Sequence, residues 1–470
     1  TNQGFRTFLK TKPAGASAER YEFHEPFRDG AEISPSIHRS MEISSHELTI
    51  QERDHSSGLE TLVTYFTIPG EPIAALARIV TLNNHSSQAL DVEMLDGLPQ
   101  VNPYGMNEFF IKHMSRTIEA WMVVENLEKK APFLKLKVDA TDRPEVTMIE
   151  GGNFYAAFVQ GPSRTEALEV WTDPAVLFGS ALDFSVPRHF FKKADFKAPF
   201  KPLNESKTPC TFGGAHFKLS PGRSKTICSL VGHARSVESL NRVLSRAKRA
   251  GYFEAKRQEN RNLIEGLKTP VFTVSASNTF DAYAGQTYLD NILRGGTPVC
   301  LTGSKEPFVH YVYARKHGDL ERDYNRFLVE DSYFAQGDGN YRDVNQNRRH
   351  DVWFEPRVGD GNIKTFLNLI QLDGFNPLVV KGTDHHFRRT LASKKALSRF
   401  FAPKARVLAE TYLSKPFKLG EFYRWLGSQG DWTPGRFEKL LSQISPYLVR
   451  EEKAEHGEGF WIDHWTYNLD

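Results

Sequence analysis

Two polar stretches of the chain combine residue types that could do chemistry on a hydroxyl-rich ligand. The first runs Gln336-Gly337-Asp338-Gly339-Asn340-Tyr341-Arg342-Asp343-Val344-Asn345-Gln346-Asn347-Arg348-Arg349. The second runs Gly457-Glu458-Gly459-Phe460-Trp461-Ile462-Asp463-His464-Trp465-Thr466-Tyr467. Planar amides and carboxylates hydrogen-bond hydroxyls, and aromatic faces cover the apolar faces of rings. Each stretch alone has a plainer explanation. Gly-Asp-Gly-Asn suits a turn, Arg342 and Asp343 suit a local ion pair, and Trp461 and Trp465, four apart, suit a helix core. Their co-occurrence is what points to a binding site.

Other constellations point away from common chemistries. Asp384-His385-His386 looks like a metal cluster, but adjacent side chains on a helix diverge, so no metal ligation is expected there. There is no GxxxxGK[ST] phosphate loop and no GxSxG elbow. Arg246-Ala247-Lys248-Arg249 and Glu254-Ala255-Lys256-Arg257 interleave acids with bases, which suits a solvated helix. Asp319, Glu321 and Asp323 suit a solvated helix start. A net charge of +3 across 470 residues gives no reason to expect a nucleic-acid partner. Three widely spaced cysteines, Cys210, Cys228 and Cys300, form no CxxC motif and suit a reducing cytoplasm. No apolar run reaches membrane-spanning length, and no signal peptide opens the chain.

The elements that must position the two stretches change character along the chain. The first half holds short apolar, β-branched runs such as Ala77–Leu82, Ala120–Val124, Phe154–Val159 and Thr226–Val231, separated by Gly, Pro, Asn and Ser clusters. That pattern predicts an N-terminal antiparallel β-sandwich over residues 1–235. Near Ser236 the period becomes helical, with Val237, Leu240, Val243, Leu244 and Ala247 on one face, and a helical linker is expected over 236–277. From 278 to 470 helices dominate. Phe280, Tyr283, Leu289, Ile292 and Leu293 share one, Ile363, Phe366, Leu367 and Ile370 another, and further candidates lie near 319–333, 387–400, 403–413, 418–428 and 434–445. The chain opens on Thr1 and closes on Trp465-Thr466-Tyr467-Asn468-Leu469-Asp470 without tail character, so an internal segment of a longer polypeptide is expected.

The segments Tyr341-Arg342-Asp343-Val344-Asn345-Gln346-Asn347 and Phe460-Trp461-Ile462-Asp463-His464 resemble the inverting β-glucan phosphorylases, the clan of cellobiose and cellodextrin phosphorylases. The wording through Asp463-His464-Trp465-Thr466-Tyr467-Asn468-Leu469 looks closest to the large β-1,3-glucan phosphorylases. Ile79-Val80-Thr81-Leu82-Asn83-Asn84 and Leu95-Asp96-Gly97-Leu98-Pro99 resemble their N-terminal sandwich. The resemblance implies that residues 278–470 form the N-terminal part of an (α/α)6 catalytic barrel. It places the general acid at Asp463 and sugar contacts at Arg342, Asp343, Gln346, Asn347 and Trp461. Asn347 stands where the cellobiose phosphorylases usually carry Asp, so it offers an amide in place of a charge.

The implied reaction needs one carboxylic acid. Inorganic phosphate, a co-substrate, is already an anionic nucleophile and replaces the base-activated water of an inverting hydrolase. No cofactor is implied. The partners are a β-glucan oligosaccharide and phosphate, and a homodimer is a possible assembly. Such an acid must hold its proton near neutral pH, with Trp461 and Trp465 as its apolar neighbours. His464 reads better as a structural histidine than as a proton partner. The clan's phosphate-binding residues follow the acid in sequence, so this chain is expected to lack most of them and to be inactive alone. Two other readings stay open: an inverting β-glucan glycosidase using Asp343 or Asp338 as second carboxylate, and a non-catalytic carbohydrate-binding protein.

Overall fold

The computed structural model describes residues 4–28, 34–107, 109–301, 308–312, 333–337, 339–457 and 462–470. The chain divides into two compact units, Thr1–Gly266 and Leu267–Asp470. The division falls inside the stretch expected as a helical linker.

The first unit is built on two antiparallel sheets. A five-stranded sheet runs in the order Glu169–Trp171, Thr211–Leu219, Leu90–Leu98, Arg6–Pro13, Glu22–His24. A nine-stranded sheet runs Ile37–Ile43, Leu48–Asp54, Leu59–Thr67, Ala74–Asn84, Ser224–Ala234, Gly152–Gln160, Phe133–Leu136, Met122–Glu125, with Thr165–Ala167 added beside Gly152–Gln160. Period-two alternation decides which side chains meet. Leu9 joins Val92 and Met94 of its own sheet with Val63, Val80, Leu82 and Ile227 of the other, forming the core between the sheets. Its neighbour Phe8 points the other way, onto Leu95, Phe212 and the short helix Pro174–Phe178. That helix starts on Asp173, whose carboxylate accepts from the Ala175 N–H at 3.0 Å. The helix Val237–Ala247, capped by Ser236, lays Leu240, Val243, Leu244 and Ala247 on the nine-stranded sheet.

Among the ion pairs sealed within this unit is one that joins the two sheets. Arg78, on the larger sheet, donates to Asp96 of the smaller sheet at 2.9 to 3.1 Å and to Thr7 at 2.8 Å. Arg78 also meets the Tyr65 hydroxyl, and Thr7 donates to Asp96 at 2.7 Å. Both charged residues are almost wholly buried, at 2% and 1% exposure.

The second unit corrects the expectation of a helical barrel. Helices do occur where the periodicity places them: Asn278–Gly295, Gly361–Asn368, Leu391–Leu397, Pro403–Tyr412, Leu419–Gln429 and Pro434–Ile444. The expected helix near 319–333 lies outside the described residues, apart from its last position. Among the described residues no (α/α)6 barrel is evident. The chain between the helices forms an antiparallel sheet ordered Gly339–Asn340, Val379–Phe387, Leu448–Glu455, and a hairpin of Thr297–Leu301 with Phe308–Val312. The helical core is aromatic, with Phe417, Phe422, Leu426, Phe437 and Leu440 buried together. Asp384-His385-His386 lies on a strand and not on a helix. Alternation buries His385 among Phe308, Phe417 and His310, and turns His386 outward onto Glu451 at 2.8 Å.

Candidate functional site

The site is organised by the helix Tyr341–Arg348. Its start is fixed by Asn340, which pairs with Val379 in the small sheet and accepts from the Arg342 N–H at 3.1 Å. Tyr341 and Val344 are fully buried against Phe366, Leu369 and Val380. With positions 341 and 344 turned inward, helical geometry leaves Arg342, Asp343, Gln346 and Asn347 on the outer side.

The helix Ile462–Leu469 is tied to this one through Asn468. The Asn468 side-chain oxygen accepts from the Tyr341 hydroxyl at 2.8 Å and from the Asn345 amide at 2.7 Å. His464 is buried and stacks on Tyr341, ring centroids 5.5 Å apart. Burial holds its imidazole below the usual value, as a packed structural histidine requires. Asp463, the residue before it, is thereby carried to the surface beside Arg342. The guanidinium Nη1 lies 3.5 Å from the Asp463 carboxylate, and Nε lies 3.5 Å from Asp343. At that length these are ion pairs and not tight hydrogen bonds.

Asp343, Gln346 and Asn347 also line a cleft of about 270 Å³, together with Arg349, His350, Asp290 and Asn291. Neither Arg342 nor Asp463 lines it. The Asn347 amide nitrogen donates to the Asp343 carbonyl at 2.6 Å, which uses one of its two N–H groups and fixes the amide's orientation. Burial and the Arg349 charge hold His350 below its usual value. Trp461, expected as a sugar contact, lies outside the described residues, as does Asp338. Trp465 is half-buried on the helix that carries Asp463.

Asp290 and Asn291 were not legible as site residues. They sit among the apolar positions of the helix Asn278–Gly295, between buried Leu289 and Ile292, and look like ordinary solvated positions. Contact with the site helix brings them in. Arg348 Nε donates to the Gly295 carbonyl at 2.6 Å, and a Cβ on Gly295 would stand 3.1 Å from that of Asn347.

Behind the cleft, Asn362 donates to the Tyr311 hydroxyl at 2.7 Å, and Tyr311 donates to Asp351 at 2.6 Å. The Arg348 guanidinium lies 3.6 Å over the Tyr311 ring. Burial pushes the Asp351 carboxyl up to about 6, against hydrogen bonds and the Arg348 charge that pull it down. The folded state therefore holds this proton more tightly than the unfolded chain, whose carboxyl titrates near ~3.9. Stability contributed at low pH is lost as pH rises through the window from about 4 to about 6, by at most roughly 1.4 kcal/mol per pH unit. Asp351→Asn has no proton to lose. Relative to wild type its stability is expected to rise across that window, and urea unfolding at pH 4, 5 and 6 measures it.

No family model matches this chain, and no curated protein matches it. Among solved structures, a polysaccharide lyase is similar at 9% sequence identity, over 51% of this chain and 27% of that chain, with a TM-score of 0.26. So loose a superposition leaves the site to be understood from its own geometry. Among the described residues no helix is long and apolar enough to cross a membrane.

Proposed function

We propose that this chain carries the acid and part of the sugar site of an inverting phosphorylase acting on β-glucans, with β-1,3-linked oligoglucosides as the preferred class. The observation that carries the reading is the meeting of Arg342 and Asp463, 121 residues apart in sequence, beside a cleft lined wholly by polar side chains. A buried histidine stack and an asparagine bridge spend packing on holding an exposed carboxylate next to that cleft.

In this reading phosphate attacks the anomeric carbon from the face opposite the leaving group. The bond from that carbon to the glycosidic oxygen breaks, and Asp463 passes its proton to the departing oxygen. A β-linked glucose leaves as α-glucose 1-phosphate and the shortened chain gains a hydroxyl. Arg342 and Asp343 position Asp463 and the sugar hydroxyls near it, Gln346 and Asn347 bind hydroxyls within the cleft, and Trp461 supplies a ring face. No cofactor enters the reaction.

A hydrolase would need a second carboxylate to activate water, and Asp343 is available for it. The deciding experiment is product analysis with the intact enzyme and a β-1,3-glucan oligomer. Glucose 1-phosphate formed only with added phosphate supports phosphorolysis. Free glucose at the same rate without phosphate replaces this reading with the hydrolytic one.

A further inference from the structure

We infer that Asp290 and Asn291 form a second wall of the sugar site and bind the hydroxyls of one neutral sugar unit held in the cleft; this rests on reading that cleft as a ligand site. Three observations lead there.

The first is placement. On the helix Asn278–Gly295, burial of Leu289 and Ile292 fixes the rotation that sets Asp290 and Asn291 at the cleft. The spacing to the opposite wall is fixed too. Gly295 lies so close to Asn347 that an added methyl would press on it, and the bond from Arg348 to the Gly295 carbonyl clamps the two helices together.

The second is chemistry. The lining is two carboxylates, three amides, one guanidinium and one imidazole, without an apolar side chain. Arg349 pairs with the Asp470 carboxylate at 3.0 Å, so its charge is partly neutralised. Asp290 and Asp343 contribute carboxylate oxygens, and Asp343 meets Arg342 at 3.5 Å. They accept strongly from hydroxyls, because an ionised acceptor roughly doubles the strength of a hydrogen bond. A lining of hydrogen-bonding groups without an apolar side chain therefore suits a polyol.

The third is size. At about 270 Å³ the cleft falls just under the roughly 300–1,000 Å³ typical of drug-sized ligands. A cleft of that size suits a single sugar ring.

The test is made on active enzyme with β-1,3-linked glucotriose, by calorimetric titration and by kinetics, and with monodeoxy analogues of the same sugar. Asp290→Ala and Asn291→Ala are each expected to weaken binding and raise KM roughly tenfold, the loss of a hydrogen bond to a charged or well-placed group, with kcat nearly unchanged. Wild type should discriminate against at least one deoxy analogue, because a site built around a hydroxyl rejects the ligand lacking it. Asp290→Ala should lose that discrimination, which a merely structural role would not move. Asp290→Asn, nearly isosteric, should show a smaller loss of the same kind and guards against a folding defect. Unchanged affinity with retained discrimination in both alanine variants overturns the inference while phosphorolysis stands. Sugar binding that depends on Asp290 without any glucose 1-phosphate release supports the wall and overturns the phosphorolysis reading. A wild type that binds no glucotriose overturns the wall as well.

Discussion

In the intact enzyme, Asp463→Asn is expected to lower phosphate-dependent release of glucose 1-phosphate from a β-1,3-glucan oligomer by ~10²–10⁴-fold, the usual contribution of general acid help. The amide keeps the size and polarity of the acid but carries no transferable proton. The side chain is about half exposed and its packing neighbours act through His464 and Asn468, so the fold should be untouched. The check pairs the rate with a thermal melt. Loss of rate with an unchanged melt assigns the acid; unchanged rate removes Asp463 from the chemistry. Substrates with an activated leaving group sharpen the test. A leaving oxygen that needs no proton should recover most of the rate in the variant, because only the proton has been removed.

Asp96→Ala is expected to cost about 3–5 kcal/mol of stability in the N-terminal unit, the range for breaking a buried ion pair from one side. Arg78 would be left buried at 2% exposure with the hydroxyls of Thr7 and Tyr65 and the Phe5 ring to meet it, and no counter-charge in Asp96's place. The cost is the stranded charge more than the lost attraction. Replacing both partners by apolar residues of similar volume, as in Arg78→Met with Asp96→Leu, should therefore recover much of the loss. Urea unfolding of Arg78→Met, Asp96→Leu and the double variant forms the cycle. A double variant as unstable as the sum of the singles would show no coupling between the two side chains and would overturn the stranded-charge account.

The chain is unevenly legible as sequence. Strands such as Ala74–Asn84 and Gly152–Gln160 announce themselves because burial on one or both faces demands β-branched and aromatic side chains between turn residues. The strand Leu448–Glu455 does not. It carries only two large apolar residues before Arg450-Glu451-Glu452-Lys453, since most of its length is half-exposed. Its partner Val379–Phe387 is broken by Gly382, which sits at φ +89° where the register shifts. Periodicity has nothing to hold in either segment, and the second unit then looks all-helical. The resemblance marks Arg342, Asp343, Gln346, Asn347 and Asp463 by residue type. It says nothing of Asp290, which is at the cleft only because two helices cross at Gly295, a tertiary fact with no local sequence signature.

The small sheet of the second unit sets an order of events during synthesis. Asn340, which starts the site helix, pairs with Val379, and Val379 pairs in turn with Glu455. The helix carrying Asp463 comes later still in the chain. Each of these closures joins distant residues, and non-local pairings are the slow ones. A ribosome that has released Arg342 has made Gly295 and Tyr311, but not yet Phe366, Val379 or Asn468, which also hold that helix. Arg342 must wait for more than a hundred residues to emerge before it meets Asp463. Chains stalled between these two points would present the cleft lining without Asp463 and an open sheet edge, the state in which a nascent protein is most exposed to chaperone capture or to pairing with a neighbour.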